Sequence, residues 1–94
     1  MNNIEIVLID AAEKALVDDF PNFKDQVNWD FNIFDAVDSF SLVNILLETE
    51  LAVENLSGKY IPLASELLFD ALKSPFLKWS DWVDYVSNTL NIKR

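Results

Sequence analysis

Along the first eighteen residues apolar side chains return at helical spacing. Ile4, Val7, Leu8, Ala11 and Ala15 share one face, while Glu5, Asp10, Glu13, Lys14 and Asp18 lie mostly off it. The pattern predicts a helix over roughly Asn2 to Asp18. Ile6, Ile9 and Val17 also lie off the stripe, which predicts cover on more than one side of that helix. Asp19 to Val37 keeps no lasting period and contains Pro21, several Asn and Asp, and the aromatics Phe20, Phe23, Trp29, Phe31 and Phe34. Aromatic groups in that number seldom stay in water together, so the stretch reads as a structured loop anchored on a bundle. Phe31-Asn32-Ile33-Phe34 also fits a short strand, though no pairing segment is evident.

The clearest helix has Asp38 or Ser39 as its N-cap and runs to about Asn55. Its wheel gathers Ser41, Asn44, Glu48, Ala52 and Asn55 on one side and Leu42, Val43, Leu46, Leu47 and Val53 on the other. Glu50 interrupts the apolar side and is expected at the rim of the core, with a place in a pocket lining as the lesser alternative. Ser57-Gly58 ends the helix, Gly58 being free to take left-handed backbone. Ile61-Pro62 is an extended dipeptide. Leu63 to Lys73 then reads as a shorter helix, stopped by Ser74-Pro75 because the residue before a proline is pushed out of the helical region. The last helix begins near Ser80 or Asp81 with Trp82, Val83, Val86 and Leu90 inward, and Lys93 and Arg94 complement its dipole.

Composition narrows what such a chain can do. Ninety-four residues make one domain, 1–94, and 51% hydrophobic residues with 13% aromatics can fill its core. A net charge of −9 disfavours nucleic acid and anionic membrane surfaces, both of which need clustered Lys and Arg. It favours protein partners with basic docking patches, although acidity for solubility alone is the plainer reading of charge by itself. Apolar stretches are too short to span a bilayer, and Met1 to Asp10 lacks the basic start and apolar block of a signal peptide. A cytoplasmic protein is expected. The chain has neither Cys nor His, which removes the thiolate nucleophile, the usual general base and the commonest transition-metal ligand. No enzyme is expected: any chemistry would have to come from an added group.

The sixteen carboxylates follow no glycosidase or metal-loop spacing, and Asp30, Asp35 and Asp38 lack the Gly and terminal Glu of an EF-hand loop. What remains is Asp38-Ser39-Phe40. A serine at a helix start exposes its hydroxyl where unpaired N–H groups and the helix dipole favour an anion. The plain alternative for these residues is a helix cap.

The run Asp35-Ala36-Val37-Asp38-Ser39-Phe40-Ser41-Leu42-Val43 resembles the Asp-Ser-Leu attachment motif of acyl and peptidyl carrier proteins, which opens the second helix of a four-helix bundle. Ile61-Pro62 is similar to the Ile-Pro that follows that helix in many carriers. Trp79-Ser80-Asp81-Trp82-Val83-Asp84-Tyr85-Val86 resembles the family's final helix. Length, acidity and helix order agree, so the resemblance covers essentially the whole chain. There are departures: Phe40 stands for the usual Leu, Ala36 or Val37 for the usual Gly, and the segment from Ile61 to Trp79 is longer than in fatty-acid synthase carriers. The longer segment is similar to stand-alone carriers of specialised biosynthetic pathways.

The resemblance implies an all-α fold, a four-helix acyl-carrier-like bundle with a long first loop and a short third helix. It implies that Ser39 receives a covalent 4'-phosphopantetheine, with Asp38 helping to bind the Mg2+ of that reaction and Phe40 at the exit of the arm. Ser41 is near but lacks the preceding Asp. The arm's thiol would carry acyl or aminoacyl groups as thioesters. The implied partners are a phosphopantetheinyl transferase, an acyl- or aminoacyl-activating ligase, and an acyltransferase or synthase, meeting a monomer. Docking would use Asn44, Glu48, Leu51 and Asn55. Phe69, Phe76, Trp79 and Trp82 are expected as core, with a wall around the acyl chain as the lesser alternative. The competing reading is an unmodified acidic helical adaptor or inhibitor that binds a basic partner.

Overall fold

The apolar stripe of the first segment closes into helix α1 (Asn3–Ala15). The structure, a computed structural model, describes residues 3–18 and 20–91. Ile4, Leu8, Ala11 and Ala12 of α1 are buried, and so is Ile9, off the stripe. The helix is thus covered on more than one side. Ile6 and Val17 remain exposed.

The connection that follows is a loop with two one-turn helices, α2 (Phe23–Gln26) and α3 (Ile33–Ala36). The strand alternative for Phe31 to Phe34 is not realised. Asn32 instead caps α3, its Oδ1 accepting from Asp35 N at 3.0 Å while its Nδ2 donates to Asp35 Oδ2 at 3.1 Å. The aromatics hold the loop down as expected. Phe20, Phe23 and Phe31 meet edge to face with centroids 5.8 to 6.3 Å apart, and Phe23 lies 5.5 Å from Trp79 in the same manner. Trp29 is the exception among the five, and stays exposed.

Helix α4 (Ser39–Ser57) packs along α1 and buries Leu42, Ile45, Leu46, Thr49 and Val53. Buried Thr49 satisfies its hydroxyl by donating to Ile45 O at 2.6 Å. Gly58 ends the helix in left-handed backbone, φ 79°, its N–H donating to Glu54 O at 2.9 Å.

The region from Leu63 to Lys73 corrects the expected third helix. It holds a single 3-10 turn, Glu66–Phe69, opened by Ser65 as cap, and then a tight turn. Two local bonds explain the break: Asp70 Oδ1 accepts from Leu72 N at 2.8 Å and from Lys73 N at 3.1 Å, a side-chain turn that competes with helix propagation. Leu63 and Leu68 are buried, but Leu67 and Phe69 are exposed and Leu72 is 87% exposed. Phe69 therefore leaves the expected core set. A second 3-10 turn, Pro75–Leu77, follows, and buried Ser74 opens it by accepting from Phe76 N and donating to Leu68 O.

Helix α5 (Trp79–Thr89) starts one residue earlier than the sequence suggests. Lys78 gives no side-chain cap, and the first N–H groups are satisfied by the long loop: Trp79 N donates to Phe31 O at 2.8 Å and Ser80 N to Trp29 O at 2.9 Å. Trp82, Val83 and Val86 are buried as expected, with Leu90 half-buried just past the end. Trp82 lies against Phe76 at a centroid distance of 4.5 Å and stacks on Tyr85 at 5.8 Å. Lys93 and Arg94 lie outside the described residues. Among the described residues all regular structure is helical, in a body of 30 × 26 × 22 Å, and no helix is long and apolar enough to cross a membrane.

Candidate functional site

Asp38 is the N-cap of α4. Its backbone is extended, and its Oδ1 accepts from Ser41 N at 2.8 Å while its carbonyl accepts from Leu42 N at 3.1 Å. The α4 cap thus holds the N–H groups of the third and fourth helical residues. Those of Ser39 and Phe40 precede any intrahelical acceptor and face outward with the positive end of the helix dipole. Ser39 is the first residue of the helix and is exposed; Ser41 is buried. Of the two hydroxyls, only the one at Ser39 is open to a large partner. Phe40 beside it is 79% exposed, an unusual state for a phenyl ring.

Ser39 Oγ is thus an exposed hydroxyl beside the N–H groups of Ser39 and Phe40, which lack an acceptor within the helix, an arrangement that favours an anion. Asp38 spends Oδ1 on the cap, which leaves Oδ2 for a cation.

The outward face of α4 differs from the one read off the wheel. Asn44, Leu51 and Asn55 are exposed, as a docking face requires, and Glu48 is half-buried. Val43 and Leu47, expected inside, are exposed, and Ser41, expected on the polar side, is buried. The reason is that α4 carries apolar residues all round, so its own pattern does not decide which arc meets α1. With Leu42, Ile45, Leu46 and Val53 turned inward, Phe40, Val43, Leu47 and Leu51 fall into a single outward stripe at three- and four-residue steps. The stripe begins beside Ser39. Glu48, Leu51 and Asn55 also line a shallow groove of about 360 Å³ whose other wall is α1, through Val7, Ala11 and Lys14.

Comparison of the chain with protein-family models, curated proteins and solved structures found no match in any of the three.

Glu50, expected at the rim, is buried at 7% exposure, with Oε2 accepting from Leu63 N at 2.7 Å. Leu63 O in turn accepts from Tyr85 Oη at 2.5 Å. Both backbone groups of one loop residue are held by side chains, from α4 and from α5. This clamp pins the extended strand-like passage after Ile61-Pro62 onto the bundle. Burial pushes the Tyr85 hydroxyl above its ordinary pKa; a hydrogen bond with Ser65 works against this, and the Glu50 charge adds a smaller rise. Sequence reasoning missed the clamp; a lone carboxylate on an apolar helix face, ten or so residues before an extended Ile-Pro, was the available signal.

Proposed function

We propose that this chain is an acyl carrier protein of a stand-alone, specialised biosynthetic type, its domain a variant of the four-helix carrier bundle in which an irregular strap replaces the third helix. The observation that supports the reading most is the surroundings of Ser39. An exposed hydroxyl stands at the first position of the longest helix, after a capping Asp38 and at the head of an exposed apolar stripe.

Ser39 Oγ would bear 4'-phosphopantetheine, and the backbone N–H groups of Ser39 and Phe40 would balance the phosphodiester charge. Asp38 Oδ2 would contribute to the Mg2+ of the transfer. When bound, the arm supplies the thiol on which acyl or aminoacyl groups are carried as thioesters. The chain itself holds that thiol at the end of a rigid helix and offers the same face to each partner in turn. Phe40, Val43, Leu47 and Leu51 give that face its apolar contact, Asn44 and Asn55 its hydrogen bonds, and Glu48 its charge. The transferase, an acyl- or aminoacyl-activating ligase and an acyltransferase or synthase would meet it there. A net charge of −9 steers basic partner surfaces toward it, while exposed ion pairs add little affinity each, which suits a shuttle that must release. A monomeric cytoplasmic protein fits this use.

The test is an intact-mass measurement after co-expression with a promiscuous phosphopantetheinyl transferase. The mass of one phosphopantetheine is expected on the wild-type chain and none on Ser39→Ala. No added mass, or one that survives Ser39→Ala, defeats the carrier reading and leaves the unmodified adaptor, which the exposed stripe of α4 would also serve.

A further inference from the structure

A cleft of about 630 Å³ opens on another part of the surface, between α1, the α2 segment and the head of α5. Its volume lies within the range of small-molecule sites. Five apolar side chains shape it, half-buried Val27 among them. Ile9 and Trp79 are buried, while Ile6 and Trp29 are each 44% exposed. Trp29 is the loop aromatic that did not join the core, and its backbone carbonyl is fixed to Ser80 N at 2.9 Å, which holds the segment that carries the ring. The wall therefore belongs to a braced loop.

The charge around this apolar cleft is acidic on balance. Glu5, Asp10 and Asp25 line it against the single ammonium of Lys24. Asp10 and Asp25 are exposed at the mouth, above the apolar floor. A negative mouth over apolar walls rejects fatty carboxylates and phosphates and favours a cation with an apolar body. Trp29, 44% exposed, brings an aromatic ring to this wall, a group that attracts ammonium ions.

We infer that this cleft is a second ligand site, selective for a small organic amine with an apolar or aromatic body, and separate from the arm proposed for Ser39. The inference uses none of the α4 face, so it stands whether or not Ser39 is modified.

The probe is 4-phenylbutylamine, titrated into the unmodified full chain at low salt and followed in 1H-15N spectra. Its anionic counterpart 4-phenylbutyrate and the bare n-butylammonium ion serve as comparisons. The three Trp indole signals give the readout. Phenylbutylamine is expected to shift the Trp29 and Trp79 indoles and the amides of Ile6 and Ile9, leaving Trp82, which does not line the cleft, in place. Asp10→Asn with Asp25→Asn, both at exposed positions, should weaken the amine by roughly two- to fivefold, and raising the salt should do the same. Ser39→Ala should leave amine binding in the cleft as it is. Equal binding of phenylbutyrate overturns the charge selectivity. Equal binding of n-butylammonium overturns the small apolar ligand in favour of a partner's lysine side chain. Shifts centred on α4, or none at all up to millimolar amine, overturn the site.

Discussion

Replacing Glu50 with Ala tests whether the strap after α4 is held by the clamp at Leu63. Glu50 Oε2 is the acceptor for Leu63 N, at 2.7 Å, and Leu63 is buried, so the substitution leaves a backbone donor without an acceptor and without ready access to water. An orphaned buried donor costs about 1–3 kcal/mol. Relief of the buried carboxylate's desolvation offsets part of that and the small cavity adds to it, for a net loss of about 2 kcal/mol. For a chain of this size the whole stability is about 5–14 kcal/mol, so the melting temperature should fall by roughly 8–16 °C. Glu50→Gln keeps an acceptor oxygen and loses only the charge assistance, which costs about 1 kcal/mol or less. Tyr85→Phe removes the other bond to Leu63, the one to its carbonyl, at a cost of about 1 kcal/mol. Because both side chains hold a single residue, the double variant should depart from the sum of the singles by at least about 0.5 kcal/mol. Urea unfolding followed by Trp fluorescence gives the stabilities, and hydrogen exchange reports the Leu63 amide directly. The clamp is refuted if Glu50→Ala is no less stable than Glu50→Gln, or if the Leu63 amide exchanges as freely in the wild type as in Glu50→Ala.

Three further outcomes are expected. Trp82 is fully buried between Phe76 and Tyr85, so Trp82→Ala should cost about 3–5 kcal/mol in the same urea titration. Tyr85 has a folded pKa above its unfolded value near 10, so its contribution is complete below pH 10 and is lost as pH rises through the folded value; Tyr85→Phe should flatten that alkaline decline in stability, and an unchanged slope would exclude Tyr85 as its source. On the α4 face, Leu47→Asp and Glu48→Lys should each leave urea stability within about 0.5 kcal/mol while slowing transferase modification of Ser39 at low salt; wild-type rates in both would move docking to another surface.

Much of the candidate site was legible because it is local. A helix start is set by the few residues around it, so a cap at Asp38 or Ser39, an exposed serine hydroxyl there and Gly58 as the left-handed stop could be read from side-chain chemistry alone, the structure then choosing Asp38 as the cap. The spacing in α1 was informative too: its stripe placed Ile4, Leu8 and Ala11 inward, and the apolar residues off it announced the second covered side on which Ile9 is buried. Spacing failed in α4, where apolar residues surround the helix and the partner chooses the arc. It failed again at Leu63 to Lys73, where a helical pattern lost to the Asp70 turn and to the clamp on Leu63, contacts across 13 and 22 residues of sequence that no local window contains.

From its sequence alone the chain was determined to be acidic and helical, without His or Cys, with one serine set at the head of its clearest helix. These are properties of composition and of short-range hydrogen bonding. Only the tertiary structure decided that Val43 and Leu47 extend the exposed stripe below Phe40, that Glu50 is buried to hold a loop, and that Phe69 lies outside the core. It also decided that Trp29 walls a cleft with α1 and Trp79. Each of these depends on which surfaces meet, and that is settled by the packing of segments far apart in the chain.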